Sequence, residues 1–288
     1  MPITESGGLG AAVTPEQWAA YVLEHLSTQS VVLAAGATRV TTTAKIVHVP
    51  RVTSDGTASW YSELEEITAN GPQGDDLVLT PRKCAALVHL SNESVEDSSP
   101  QVLDVVGTAM TRAVALEADR AILAGTGGKQ PLGVTGQAGG DVPGPISIDT
   151  LIAASGQVAA VGGTARAAFI NPADLTTLQL SKDDQGRPLL GPDYVTGPSS
   201  TVYGLALWPT AAMPAGTALV ADPSQIVVAV RDDPTVAVST DALFTSDGAV
   251  CRVIARVDAG VNDARGLVTI TTAAPGGDSG TRSAKKST

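Results

Sequence analysis

Aromatic residues are scarce. The 288-residue chain holds two Phe, three Trp and four Tyr, 3% in all. Its core must therefore be built from Ala, Val and Leu, small side chains that fill space only when backbones approach closely. Histidine is scarce as well: His25, His48 and His89 are scattered, each in an apolar run, and no carboxylate–histidine spacing points to a metal. The two cysteines, Cys84 and Cys251, lack C-x-x-C spacing and sit in strand-like runs, so buried free thiols in a reducing compartment are expected. No apolar run approaches the ~18 residues of a membrane span. The first residues, MPITESGG, lack the basic and apolar regions of a signal peptide, and a soluble cytoplasmic product is expected. Positive charge is in deficit, 18 Lys and Arg against 29 Asp and Glu, for a net charge of −11. That excludes a protein whose main surface grips nucleic acid, which needs concentrated cations. The nearest thing to a basic patch is Arg282, Lys285 and Lys286.

What is present begins with Ser98 to Gly133, SSPQVLDVVGTAMTRAVALEADRAILAGTGGKQPLG. Ser99 stands at an N-cap position and Pro100 at the first helical position, where its missing N–H costs nothing. No proline interrupts Gln101 to Ala124, and Gly125, Gly127 and Gly128 stop the helix. At about 1.5 Å per residue this is a rod near 38 Å long, around which other parts must be laid. At 100° per residue Val102, Leu103, Val106, Ala109, Met110, Ala113, Val114 and Leu116 share an apolar arc. Gln101, Asp104, Thr108, Thr111, Arg112 and Asp119 fall opposite. Glu117 and Arg120 lie towards the apolar arc three residues apart, as an ion pair or as a contact to another subunit.

Ahead of the rod, Met1 to Gly10 reads as disordered. Thr14-Pro15-Glu16 starts a short helix carrying Trp18, Ala19, Val22, Leu23 and Leu26, too short to stand alone and read as an arm that docks elsewhere. VVLAA, VTTT and KIVHVP are strand-like, broken at Gly36. Ser54-Asp55-Gly56 reads as a tight turn between IVHVPRVT and TASWY. Glu63, Glu65, Glu66, Asp75 and Asp76 then give residues 50–80 the character of a long hairpin with an acidic tip, which needs a partner surface.

Beyond the rod, Gln137 to Pro145 reads as a linker. Asp149 is placed to cap a helix through Leu151 and Val158, Arg166 to Ile170 is a short strand, and Asn171-Pro172 opens a helix with Leu175, Leu178 and Leu180 inward. Asp183 to Gly186 is a turn. Thr201–Trp208, Thr217–Val220, Gln225–Val230 and Thr235–Ser239 are strands. Ala249 to Asp258 alternates most clearly, with Cys251, Val253, Ala255 and Val257 on one face and Arg252 and Arg256 on the other. The residues after about Ala273 read as a disordered tail.

Chemistry-bearing motifs are weak. GTGGKQ at 125–130 departs from the phosphate-loop spacing, has Gln130 where Ser or Thr is required, and follows a helix instead of leading into one. Gly277-Asp278-Ser279-Gly280 has the look of a protease nucleophile segment but lies in the tail, without a core around it. Asp183, Asp184 and the acids at 63–66 lack a calcium-loop pattern. No catalytic, cofactor-binding or metal-binding residue is assigned, and no cofactor is expected.

The ordered set of segments resembles the major capsid proteins of tailed bacteriophages, the Hong Kong 97 fold, an α+β class. It rests on Trp60 followed by Glu63, Glu65 and Glu66; on LTPRKCAALVHLSNESVEDS at 79–98; on the rod closing in LAGTGGKQPLG at 123–133; on AAFINPADLTTLQLSKDDQGRPLL at 167–190; and on VCRVIARVDAGVNDARGLVTI at 250–270. The resemblance implies an N-terminal arm (1–35), a peripheral domain in two parts (36–49, and 81–133 with the rod as spine helix), an extended loop (50–80), an axial domain (134–222), return strands completing both (223–273) and a tail (274–288).

It also implies a structural protein, not an enzyme, whose pentamers and hexamers close into an icosahedral virion shell around packaged double-stranded DNA, without sequence-specific binding or a membrane, assembled in the host cytoplasm. A separate scaffolding protein, a portal and a decoration protein are the expected partners. No lysine lies between Lys45 and Lys83, so the loop tip has none for a covalent cross-link, and non-covalent stabilisation is expected. The expected inter-subunit contacts are Trp18, Trp60, Glu63, Glu65 and Glu66 on arm and loop, with Arg82, Lys83, Arg112, Glu117, Arg120, Arg252 and Arg256 as the receiving or paired groups. An encapsulin-type nanocompartment is the alternative, and a small acidic hydrolase the remote one.

Overall fold

The alternating run near residue 250 becomes the central strand of the molecule. The computed structural model describes residues 30–54, 56, 58–63, 66, 71, 73–91, 101–187, 189–190, 201–231, 235–243 and 248–272. In chain order its first elements are α1 (Val31–Ala34), β1 (Thr38–Thr42), β2 (Val47–Ser54), β3 (Gln73–Leu79), β4 (Arg82–Ser91) and α2 (Gln101–Ala124). Then come β5 (Gly140–Pro143), α3 (Ile148–Ala160), β6 (Ala167–Ile170) and α4 (Pro172–Gln179). The remaining strands are β7 (Thr201–Val202), β8 (Leu205–Pro209), β9 (Thr217–Ala221), β10 (Ile226–Arg231), β11 (Thr235–Leu243), β12 (Gly248–Val261) and β13 (Leu267–Thr271).

In the first sheet β12 pairs antiparallel with β4 along one edge and with β11 and then β10 along the other. Strand β1 runs parallel to β10 outside it. Cys251, Val253, Ala255 and Val257 of β12 are buried, whereas Arg252 is exposed, as the alternation requires. They meet the long helix α2 through Met110, Val114, Ala115, Ala118 and Ile122. The opposite face receives the β2–β3 hairpin: Leu79, Val227 and Ala229 form a buried cluster, with Val40, Val47, Val49 and Leu77 around it.

The second sheet has the order β5-β13-β9-β6-β8-β7. One face, with Ala168, Ile170, Ala218, Val220, Val268 and Ile270, is covered by Leu151, Ala154 and Val158 of α3 and by Leu178 of α4. The other face sends Ala167, Phe169, Leu219, Ala221 and Leu267 into the cluster that contains α2 and β12. The two sheets thus share one continuous core.

Several local readings are corrected. VVLAA is helical at Val31–Ala34, because the Ser30 side chain caps Leu33 N and Val32 is buried, which overrides the β preference of valine. The tight turn at 54–56 does not pair IVHVPRVT with TASWY: residues 58–61 are not strand, and β2 pairs with β3 across a longer loop. The expected linker contributes β5, parallel to β13. The cap of α3 is Ser147 in a capping box with Thr150, with Asp149 inside the first turn. Leu180 is exposed, standing at the C-cap of α4 beyond its buried face. The 201–208 run splits at Tyr203-Gly204, both at positive φ, into β7 and β8.

The faces of α2 are also rotated from expectation. Ala109, Ala113 and Leu116 are exposed, and Thr111 and Asp119 are buried. The buried side is lined by Gly107, Ala115, Ala118 and Ala121 together with Met110, Val114 and Ile122, while Ala109 and Ala113, equally small, face outward. The side chains of 101–105, with Ser99, Pro100, the arm at residues 1–29 and the tail from 273, lie outside the described residues.

Candidate assembly surfaces

The hairpin is held at its base. Arg51 donates from Nη1 to Val261 O and from Nη2 to Asp75 Oδ2, both at 3.2 Å. The Asp76 N–H and the Arg51 guanidinium keep the exposed Asp75 carboxyl below its ordinary range. His48 Nδ1 lies 3.6 Å from Asp76 Oδ2. Thr80 N donates to Asp258 Oδ2 at 2.6 Å, fixing the turn into β4. Burial raises the Asp258 pKa, against the pull of the Thr80 and Ala259 N–H groups and of Arg82. Leu77 and Leu79 lie on Gly260, where a Cβ would come within 2.7 Å of Leu79 Cδ2.

From this base the chain reaches Trp60, which is fully exposed, and Glu63 and Glu66, also exposed. Trp18 and Glu65 lie outside the described residues. The receiving groups divide between two places. Arg252 is exposed and Arg256 half-buried on the outward face of β12, where Arg256 is register partner of Lys83 and Arg252 of Leu87. Arg112, Glu117 and Arg120 are exposed on α2, and Arg120 Nη1 lies 3.5 Å from Glu117 Oε2.

Arg82 and Glu117 converge on a cleft of about 430 Å³ between β4, α2 and the turn after it, which Lys83 also lines although its register partner Arg256 lies on the other face of the sheet. The sequence reading missed Lys129, which joins them there; the only signal for it was its place in GTGGKQPLG. The turn is tightly knit. Gly127 N donates to Pro131 O at 3.2 Å, Gly133 N to Gly125 O at 2.9 Å, and Arg82 to Gly128 O. The N–H groups of Gly125, Gly127 and Gly133 are spent on the chain's own carbonyls, which removes the cradle a phosphate would need. Cys84 lines the cleft, but burial and then Glu117 push its thiol pKa up, the reverse of an activated nucleophile. A second hollow of about 610 Å³, between α3 and the Tyr203 turn, is walled by Ile152, Leu189 and Tyr203 among others. Among the described residues no group of His, Cys, Asp or Glu is arranged to hold a metal, and no helix is long and apolar enough to cross a membrane.

The sequence reading also missed Asp119. It is buried on α2 and accepts from Ser30 Oγ at 2.6 Å and Val31 N at 3.0 Å, tying the start of α1 to the rod. Burial raises its pKa, partly offset by these two hydrogen bonds.

A curated major capsid protein of Klebsiella oxytoca phage phiKO2 is 25% identical over 139 residues, 48% of this chain and 32% of the relative, so the match spans about a third of that relative's length. The capsid of a native GTA particle superposes with a TM-score of 0.71 at 18% identity, covering 95% of this chain and 96% of the other. A solved structure from Mycobacterium phage Adephagia gives 0.71 at 17% identity over 86% of this chain and 91% of the other. That of Mycobacterium phage Bobi gives 0.70 at 22% over 85% and 91%. These likenesses establish the Hong Kong 97 fold. The model of the phage capsid family matches residues 10–272, and with nearly the whole chain inside that match, the chain belongs to the phage capsid family.

Proposed function

We propose that the chain is the major capsid subunit of a tailed phage, and that copies of it close through pentamers and hexamers into an icosahedral shell around double-stranded DNA. The observation that carries this reading is the family match over residues 10–272. Support comes from what the fold offers: an acidic hairpin anchored at Arg51 and Thr80, charged groups on outward faces, and a cleft without an activated nucleophile. The net charge of −11 suits a wall that encloses DNA without adhering to it. The phage and GTA capsid structures support a virion shell over an encapsulin compartment. Assembly in the host cytoplasm, a separate scaffolding protein, a portal and a decoration protein belong to this reading, as does non-covalent stabilisation of the shell.

Within it, Glu63, Glu65 and Glu66 of the loop meet basic groups of a neighbour, drawn from Arg82, Lys83, Arg112, Arg252 and Arg256. Trp18 of the arm and the Glu117–Arg120 pair belong to the same contacts. Each exposed pair contributes only about 0–1 kcal/mol, and repetition around a shell multiplies it. Shells of a Glu65→Lys, Glu66→Lys double variant are expected to dissociate at lower denaturant than wild type; unchanged shells sink the pairing.

Negative-stain electron microscopy with light scattering on the full chain tests the whole reading. Closed shells, or rings of five and six, are expected. A monomer that stays monomeric in phage-infected host lysate overturns it.

A further inference from the structure

Two features of the described residues are each incomplete alone. Trp60 is fully exposed, an unusual state for the side chain with the largest apolar surface. The cleft beside α2 has an apolar floor of Ala118, Ala121 and Pro131 and a cationic rim of Lys129 and of Arg82, which also donates to Gly128 O. Its one lining acid, Glu117, is engaged with Arg120. An apolar floor under a cationic rim fits an aromatic ring accompanied by a carboxylate. At about 430 Å³ it has room for an indole.

We infer that the cleft is the seat for residues Trp60 to Glu63 of a second copy of this chain, with Trp60 on the floor and Glu63 against the rim. The occupant's chemistry follows from its sequence, Trp60-Tyr61-Ser62-Glu63. Three residues of extended chain span at most about 10 Å, which lets one ring reach the floor while the carboxylate stays at the mouth. Facing cations also favour the indole π face. Complementary charge supports the same occupant: the tip carries exposed Glu63 and Glu66, while the rim carries Arg82 and Lys129 against one engaged acid. The chain's own Trp60 is not seated, as its full exposure shows, so the ring must come from another copy. This inference rests on the shell reading and narrows its receiving groups to one place, adding Lys129.

The test is photo-crosslinking from position 60 in the full chain, with p-benzoylphenylalanine replacing Trp60, followed by mass-spectrometric mapping. In shells verified by electron microscopy, cross-links are expected to join position 60 of one copy to residues 117–131 or 82–84 of another. They are expected to be absent from unassembled chain and to fall severalfold in shells carrying Lys129→Glu. Shells that form but cross-link elsewhere, to the arm of a neighbour, to nucleic acid or within the same copy, overturn the seat and leave the shell reading standing. Absence of shells from the unsubstituted chain, even in infected lysate, overturns both. If the Lys129→Glu chain fails to fold, Lys129→Gln is scored in its place, and an unchanged cross-link yield counts against the rim.

Discussion

Ser30 donates its hydroxyl to the buried carboxylate of Asp119 at 2.6 Å, across 89 residues of sequence. The Val31 N–H joins it at 3.0 Å, so one side chain of the long helix receives the chain as it enters α1. Replacing Asp119 with Ala leaves both donors without that acceptor, and a loss of about 1–3 kcal/mol is expected. Denaturant unfolding of the subunit measures it. Asp119→Asn keeps an acceptor for Val31 N and is expected to cost less than Asp119→Ala; equal losses would mean that shape, not hydrogen bonding, matters here.

The same carboxylate sets a pH dependence. Burial raises its pKa above the ordinary value of 3.8, so the folded state holds this proton more tightly than the unfolded chain does. The contribution is fully present below that ordinary value and is lost as pH rises through the higher folded one. The stability difference between wild type and Asp119→Asn should therefore shift against wild type as pH increases from about 4. Thermal midpoints of both proteins across this range check the sign, and a shift the opposite way would show that the two hydrogen bonds outweigh burial.

Gly260 lets the hairpin lie flush on the first sheet. A methyl there would meet Leu79 Cδ2 at 2.7 Å and Leu77 Cδ2 at 2.9 Å. These are side-chain ends, so the hairpin yields, at a cost of about 1–3 kcal/mol. Gly260→Ala is expected to lower the unfolding midpoint, and adding Leu77→Val, which draws the side-chain methyls back, to recover part of it. No recovery would place the strain in the backbone instead.

Gly125 is a harsher case. A Cβ there would run into the carbonyl oxygens of Pro131 and Ala121, backbone atoms that cannot swing aside. Gly125→Ala is expected to cost at least about 3 kcal/mol and to loosen the 125–133 turn, read as faster amide exchange at Gly127 and Gly133, whose N–H groups it holds. Exchange there as slow as in wild type would contradict the account.

Both thiols should be sluggish. Burial raises the Cys251 pKa, and burial with Glu117 raises that of Cys84, above 9.0. Labelling by a disulfide reagent at pH 8 is expected to be slow in the native chain and fast after denaturation, with Cys84, the less buried of the two, reacting first. Rapid native labelling of Cys251 would mean that β12 opens readily.

The extent of α2 was legible because the glycines at 125, 127 and 128 do not continue a helix, and β12 was legible because its alternation is unbroken from Cys251 to Val257. Which side of α2 faces the sheet was not. Its composition gives little contrast: Ala109 and Ala113 are exposed while Ala115 and Ala118 are buried, and nothing local separates them. Asp119 looked solvated because its partners, Ser30 and Val31, are remote in sequence. The partner of β2 was obscured by Ser54-Asp55-Gly56, a plausible turn that loses to the packing of Leu77 and Leu79. The cleft joins residues 82–84, 117–121 and 126–131, and periodicity within any one of them carries no sign of the others.

Phe169 and Leu219 of the second sheet share a buried cluster with Val253 of the first and Met110 of the long helix. A hinge between the sheets would have to expose that shared layer to water, at about 25 cal/mol per Å² of apolar surface. The body is therefore stiff as a plate. In the proposed shell, copies around five-fold and six-fold axes would differ in tilt, and the compliance would then reside in what extends beyond the plate. A hairpin clamped at Arg51 and Gly260, with Trp60 fully exposed beyond the clamp, would act there as a cantilever, rigid at the wall and adjustable towards its tip.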